Sequence, residues 1–215
     1  MKKLILSLLL AGISLVSFAQ LPTFGIKGGV NFATTHQSQE GVLFNANPDL
    51  LTTFNAGVFA DFKFGNISLQ PALNLTGKGS RNSIQFTDES GKIVETTSQK
   101  LKLFYLQVPV NVIYHIPAII GDIYLGAGPY VSKAISGKIT GPDQNGQSFS
   151  TDVKFGNEGI IKSMEYGADA IAGITLKGGL LLNVNYDLGL SNISSHDASG
   201  RAQTRVLGIS VGYAF

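Results

Sequence analysis

The chain has 215 residues, of which 44% are hydrophobic and 14% are charged, and it contains no cysteine and no tryptophan. This length fits a single domain, and a charged fraction so far below the roughly 25% of soluble domains indicates a non-aqueous neighbour. The net charge is zero from Gln20 onward, because Lys2 and Lys3 account for the formal +2 of the whole chain. A neutral chain without a basic run argues against nucleic acid as a partner.

The N-terminus has the pattern of an export signal. Lys2 and Lys3 precede an apolar run over residues 4–16, and Ser17 and Ala19 supply the small side chains that signal peptidase recognises. We therefore predict a signal peptide over residues 1–19 and one domain over residues 20–215. A retained membrane anchor is the alternative, but the run is shorter than the about 20 residues of a spanning helix.

Eight later stretches alternate large apolar side chains with small or polar ones. This period of two predicts β-strands with one apolar face. In the fourth stretch the apolar phase changes near Tyr105 and Leu106, which predicts a β-bulge. In chain order, the predicted strands cover residues 24–32, 54–64, 67–76, 101–116, 123–133, 166–177, 182–190 and 204–215.

The connections between these strands alternate between long and short. The short ones are "GN", "PAIIGD" and "GG", and the other four are long. In an up-and-down meander every second connection lies on the same side, so all four long loops fall at one end. Short turns at one end and long loops at the other are typical of outer-membrane barrels.

The polar faces of the strands decide between a sandwich and a barrel. They carry Gly, Ala, Ser and Asn rather than the Lys and Glu of a water-facing sheet, and such small residues suit the interior of an eight-stranded barrel. We predict an all-β fold: an eight-stranded antiparallel up-and-down transmembrane β-barrel, closed between its first and last strands because lipid tolerates no open sheet edge. A soluble ligand-binding barrel would have the opposite facing.

Aromatic residues at the strand ends predict the two interfacial girdles of a membrane barrel. Ordinary core aromatics are the alternative. The residues concerned are Phe24, Phe32, Phe54, Phe64, Tyr114, Tyr166, Tyr213 and Phe215.

Charged residues on the inner phase of the strands predict a polar network in the lumen. Opposite charges on neighbouring strands can pair, whereas lone charges would be costly, and we expect Lys27 to lie near Asp61. A proton or ion path is the alternative. The predicted network consists of Lys27, Asp61, Lys63, Asp169, Lys177 and Asp187.

No pattern predicts catalysis, a metal or a cofactor. His196 lies beside two serines and an aspartate in "SSHD", but neighbours in sequence do not make a triad, and a solvated loop is favoured. His115 is expected to pack inside strand four, and His36 to lie in the first long loop. Three histidines so dispersed lack metal-ligand spacing.

Apolar residues in the long loops suggest either self-packing loops or contacts with a partner, since surface function usually resides on loops. The four residues are Phe44, Phe86, Phe149 and Phe155.

Five stretches together carry a family resemblance: "FGIKGGVNFA", "ISLQPALNLTGKG", "FYLQVPVNVIYHI", "YLGAGPYVS" and "GISVGYAF". They resemble the PorT-like outer-membrane β-barrel proteins of Bacteroidetes, over essentially the whole chain after the signal. The resemblance implies the fold and the location in the outer membrane, and it raises a link to type IX protein secretion. Tyr213 and Phe215 also look like the terminal signal that the barrel-insertion machinery reads.

These observations lead to several hypotheses of function. The first is a non-enzymatic, monomeric scaffold or interaction protein with a plugged lumen. It would contact outer-membrane lipid, the insertion machinery and an unknown surface or periplasmic protein, and act through its four long loops. The alternatives are a small pore and a lipid-modifying enzyme.

Overall fold

Alternating side chains give this chain a structure of long antiparallel strands. The computed structural model describes residues 21–38, 49–87, 93–142, 147–156, 159–195 and 201–215. The strands are β1 (Thr23–Ser38), β2 (Leu51–Phe64), β3 (Ile67–Thr87), β4 (Ile93–Ala118), β5 (Gly121–Pro142), β6 (Ser148–Asp152), β7 (Met164–Leu176), β8 (Leu180–Gly189) and β9 (Arg201–Ala214). Within these ranges no helix is long and apolar enough to cross a membrane.

The strands form one closed ring, as predicted. Each strand of the ring pairs with its neighbours, in the order β4-β3-β2-β1-β9-β8-β7-β5, and β4 pairs with β5 to complete it. At the seam, β1 and β9 pair from Gly25 opposite Ala214 to Ser38 opposite Arg201. In the described part of the chain the ring has eight strands, and the short β6 pairs with β5 outside it.

The apolar side chains of the ring face outward. On β8, Leu182, Val184 and Tyr186 are 50%, 45% and 43% exposed, whereas Asn183 between them is 3% exposed. This confirms the predicted facing and contradicts a soluble ligand-binding barrel, whose apolar residues would point to the axis.

Tight turns close one end of the ring, which we call the turn end. The chain reverses direction within a few residues after β2, after β4 and after β7. In two of these turns, Gly65 and Gly179 have φ of 66° and 85°. An L side chain rarely adopts such angles, so glycine is needed there. The opposite end, where the long connections lie, is the loop end.

Several strands continue further toward the loop end than predicted. The hairpin of β3 and β4 stays paired as far as Thr87 opposite Ile93, through residues that the sequence suggested were loop. His36 likewise lies within β1, opposite Gln203, and not in a loop. The sheet therefore projects well beyond the part that the eight predicted strands cover.

The predicted bulge near Tyr105 and Leu106 is located differently. The register between β4 and β5 does shift there, but Phe104 lies opposite Ser136 and Tyr105 opposite Ala134, so the extra residue is Ile135 of β5. β4 itself keeps its alternation: Leu103 and Tyr105 are fully buried inside, whereas Lys102 and Leu106 are exposed outside. The apolar residues therefore change from the outer to the inner face of β4: Leu106 is exposed outside, whereas Leu103 and Tyr105 pack inside against apolar residues.

Candidate functional site

The lumen is filled by three layers of polar side chains, which the alternation of the strands directs inward. The turn-end layer contains Asp61 and Lys63 of β2, Ser68 of β3, His115 of β4 and Asp122 of β5. Lys63 Nζ lies 3.1 Å from Asp122 Oδ2. His115 Nε2 lies 2.8 Å from Ser68 Oγ and 3.6 Å from Asp61 Oδ2. Each charge of this layer therefore has a polar neighbour on another strand.

The middle layer is built around two carboxylates. Asp169 of β7 and Asp187 of β8 are directly opposite each other. Asn111 Nδ2 donates to Asp169 Oδ2 at 2.7 Å, and Gln107 Nε2 donates to Asp187 Oδ2 at 2.9 Å. Lys27 attracts both carboxylates electrostatically, which reduces the repulsion of two adjacent acids.

The loop-end layer holds a fully buried ion pair. Lys78 Nζ of β3 lies 2.9 Å from Glu165 Oε1 of β7, and both side chains have zero exposure. Glu165 Oε1 also accepts hydrogen bonds from Tyr130 and Thr204, each at 2.6 Å. The Lys78 ammonium lies over the Tyr130 ring, 4.4 Å from its centroid. A buried pair of charges is tolerable only with such additional partners.

Lys27 and Asp61 both line the turn-end part of the lumen, but they do not form a direct ion pair. The ion pairs among the described residues do not include Lys27 with Asp61, because the register places Lys27 opposite Gly57 but Asp61 opposite Thr23. Those positions are four residues apart, or about 13 Å along a strand. The prediction that Lys177 lies in the lumen is wrong, because β7 ends at Leu176 and Lys177 is exposed in the following turn.

The sequence interpretation missed the pair of Lys78 and Glu165. The predicted third strand ends at residue 76, so Lys78 falls in the following loop, and Glu165 precedes the predicted sixth strand. The sequence does contain a signal for this pair. When β3 and β7 are extended toward the loop end, Lys78 and Glu165 continue the alternation of inward-facing residues on their strands.

At the turn end the lumen opens into a cavity, which we call the vestibule. Its narrow inner part, about 50 Å³, is lined by residues that include Lys27, Asp61, His115 and Asn183. It joins a wider mouth of about 490 Å³ near Asp122 and Lys177. The inner part has room for about three water molecules.

At the loop end a hydrophobic cap covers the lumen. Val153 and Ile161, from the connection between β6 and β7, and Ile193, from the connection after β8, pack on Leu103 and Tyr105 of β4. Backbone hydrogen bonds from Lys162 N to Ile193 O and from Ala134 N to Ser163 O hold this cap in place. The polar layers are therefore covered at the loop end and open at the turn end.

The four phenylalanines that the sequence places in long loops lie in different environments. Phe155 packs against the cap and is partly buried, which agrees with a self-packing loop. Phe149 lies in β6 and is half-buried. Phe86 lies in β3 opposite Glu95. Phe44 lies outside the described residues.

Ser68, His115 and Asp61 bring the three residue types of a hydrolase triad together, but not in its geometry. In a triad the serine and the aspartate contact opposite nitrogens of the imidazole. Here both lie beside Nε2. Across the described ranges, no group of three or more His, Cys, Asp or Glu side chains could hold a metal ion. His196 lies outside those ranges.

The outer surface carries aromatic residues at two levels. Phe24, Phe64, Tyr114, Tyr213 and Phe215 are 47–69% exposed near the turn end. Toward the loop end, the rings of Phe54 and Phe104 pack in a tilted arrangement with their centroids 4.9 Å apart, and Tyr166 is 63% exposed. Two such belts around an apolar band match the girdles of a membrane barrel.

A family model described as "Outer membrane protein beta-barrel domain" matches residues 18–195. The chain belongs to this family. It is an outer-membrane β-barrel protein of the Gram-negative type, with its strands crossing the bilayer. In such barrels the short turns face the periplasm, which places the turn end in the periplasm and the loop end outside the cell.

Solved outer-membrane proteins resemble the structure at low sequence identity. Ail, the attachment invasion locus protein of Yersinia pestis, is 14% identical, with 91% of this chain and 100% of that chain covered and a TM-score of 0.44. Neisserial surface protein A is 11% identical, covering 89% and 97%, with a TM-score of 0.45. Outer membrane protein W of E. coli is 14% identical, covering 91% and 99%, with a TM-score of 0.42. A search of curated proteins finds no match.

Proposed function

We propose that this barrel is a non-enzymatic interaction protein of the cell surface, which binds its partner through the loop end. The observation that carries the proposal is the asymmetry of the structure. Its lumen holds a fully buried ion pair and is covered by the hydrophobic cap, whereas long strands extend the sheet outside the membrane. Such an arrangement favours contacts on the outer surface over passage through the lumen.

The loop end offers a suitable binding surface. Ile160 is 53% exposed on the cap, although its neighbour Ile161 is 6% exposed. A pocket of about 250 Å³ lies beside Ile160, and its lining includes Lys100, Leu101 and Ile139 of the extended strands. An exposed aliphatic residue beside a pocket is typical of protein contact surfaces.

Site-specific photo-crosslinking in intact cells tests the proposal. A photoreactive amino acid at Ile160 should capture a partner protein, because this side chain is exposed outside the cell. The matched control is the same amino acid at Lys177, which is exposed at the turn end. Adducts that are equal at both positions, or absent at Ile160, would contradict a role at the loop end.

A small pore is the second candidate, favoured by the vestibule that reaches Lys27 from the periplasm. Conduction would have to pass the pair of Lys78 and Glu165 and then the cap. Planar-bilayer recordings of the purified protein separate the two candidates. We expect no steady single-channel current, and a stable conductance would favour the pore.

Finer assignments remain predictions. The resemblance to PorT-like proteins supports a test of a secretion role: the secreted surface proteins of cells lacking this protein should be compared with those of wild-type cells.

Cleavage after Ala19 is checked by sequencing the N-terminus of the mature protein. Truncation of Phe215, which is 69% exposed beside the seam, tests its role as an insertion signal.

A further inference from the structure

The outward face of β4 and β5 carries four lysines just beyond the apolar band. We call Lys100, Lys102, Lys133 and Lys138 the lysine patch; all four side chains are exposed. They point away from the lumen, since Leu103 and Ala134, their neighbours in sequence, are buried inside. The patch is thus a feature of the outer wall and separate from the polar layers of the lumen.

The patch lies at the level of lipid headgroups. Lys102 is the next outward residue after Phe104, whose ring stacks on Phe54 in the outer girdle. Lys133 lies opposite Leu106 on one side and Met164 on the other, both of which face lipid and are 41% and 50% exposed. A lysine here can keep its stem on apolar surface and its ammonium at the interface.

The strands place like charges together within the patch. Lys102 and Lys138 are directly opposite each other, so their Cβ atoms are about 5 Å apart. Lys100 lies opposite Arg81 of β3. Like charges directly opposite each other destabilise a sheet. An anion between the ammonium groups would remove this repulsion.

The protein itself supplies little compensation. The ion pairs among the described residues include none of the four lysines. Two carboxylates border the patch: Asp152 lies opposite Lys138 on β6, and Asp49 lies opposite Arg81. By contrast, Lys63 at the turn end is paired with Asp122, and Lys78 in the lumen is paired with Glu165.

We propose that the lysine patch binds the phosphate groups of an anionic glycolipid in the outer leaflet. Phosphate accepts several charge-assisted hydrogen bonds, so one group bridges the ammonium ions of Lys102 and Lys138. The choice of a lipid over a soluble anion follows from continuity: the patch extends directly from the apolar band that contacts acyl chains. Lys133, deepest in the bilayer, holds the ligand nearest to those chains.

The test uses the whole protein in phosphatidylcholine vesicles that contain lipid A with two phosphates. After mild detergent extraction, mass spectrometry measures the glycolipid retained per protein. We expect the variant K102Q/K138Q to retain at least about tenfold less glycolipid, because it removes both ammonium groups that bridge the phosphate. K102R/K138R keeps both charges and should retain the wild-type amount.

Two controls make the result specific. K177Q/R201Q removes the same charge from exposed positions outside the patch and should leave retention unchanged. Wild-type protein should lose retention when the lipid A is dephosphorylated, a comparison that requires no substitution. Equal losses in K102Q/K138Q and K177Q/R201Q, or equal retention of the dephosphorylated lipid by the wild-type protein, would overturn the proposal.

A photoreactive amino acid at Ser136, exposed between Lys138 and Lys133 on the same face, identifies the occupant in cells. We expect adducts with glycolipid. Adducts with a protein alone would assign the patch to a polypeptide and overturn the proposal, whereas a failure of crosslinking at Ile160 would affect only the proposed interaction function.

Discussion

The membrane-spanning part of the barrel and its loop end use the same strands with opposite facing. In the membrane, Val112 of β4 is 56% exposed to lipid and Asn111 is 2% exposed in the lumen. Toward the loop end of the same strand, Leu103 is fully buried inside and Lys102 is exposed on the outer face. The medium outside decides which face is apolar, while the backbone alternation continues unchanged.

The two regions meet at the loop-end layer. Tyr105 contacts the hydrophobic cap on one side and the Lys78 ammonium on the other, with 5.3 Å between the ammonium and the ring centroid. The largest effects of substitution are therefore expected where the polar filling ends and the apolar core begins.

Removing the ammonium at this boundary should give the largest effect. Lys78→Ala leaves Glu165 charged and buried without its counterion, which costs about 3–5 kcal/mol of unfolding free energy. Urea unfolding of the refolded barrel measures it. Lys78→Met combined with Glu165→Gln should recover most of the loss, and a single variant as stable as wild type would show that the pair is not essential to this layer.

A lysine placed on each outer surface should distinguish the two regions. Val58, 50% exposed, faces lipid near mid-membrane, and Ile160, 53% exposed, faces water. Val58→Lys should cost about 2–4 kcal/mol because a charge enters hydrocarbon. Ile160→Lys should change stability by less than about 0.5 kcal/mol. Equal effects in lipid vesicles would contradict the assigned facing.

Deletion of one methyl group should lower the stability of the barrel more inside the cap than on the surface that faces lipid. Ile161→Val, at a site 6% exposed, should cost about 0.5–1.5 kcal/mol through lost packing. Ile209→Val, 47% exposed to lipid, should cost less, since the group contacts hydrocarbon in either case. Unfolding curves of both variants in the same detergent make the comparison.

Breaking the ion pair at the turn end should have a much smaller effect than breaking the buried pair of Lys78 and Glu165. Lys63 and Asp122 are 33% and 38% exposed, so Lys63→Gln should cost at most about 1 kcal/mol. Added salt should reduce the difference from wild type, because exposed charges are screened. A loss as large as that of Lys78→Ala would mean that the vestibule is drier than its opening indicates.

The sequence predicted the membrane part well because lipid imposes a simple rule. Each strand must alternate and the ring must close, so Leu182 and Val184 could be placed outside and Asn183 inside without a structure. The loop end obeys no such rule. Leu101 and Leu103 indicated a bulge in β4, but they are inward residues that the connections cover, and those contacts join positions far apart in the chain.

The partners within the lumen were not predictable from phase alone. The alternation of side chains shows that Lys27 and Asp61 face inward, but the register between strands decides their positions along the barrel axis. A side chain can also contact a strand across the lumen as readily as it contacts the neighbouring strand. Asn111 of β4, for example, contacts Asp169 of β7. Such contacts depend on the diameter and stagger of the ring.

The seam between β1 and β9 has a consequence for biogenesis. Gly25 and Ala214, which it joins, lie far apart in the chain, so a nascent chain that still lacks β9 leaves one edge of its first strand unpaired. Contacts of such long range form slowly. A cell that makes this protein must therefore keep it unfolded and shielded from aggregation until the last strand has been delivered to the bilayer.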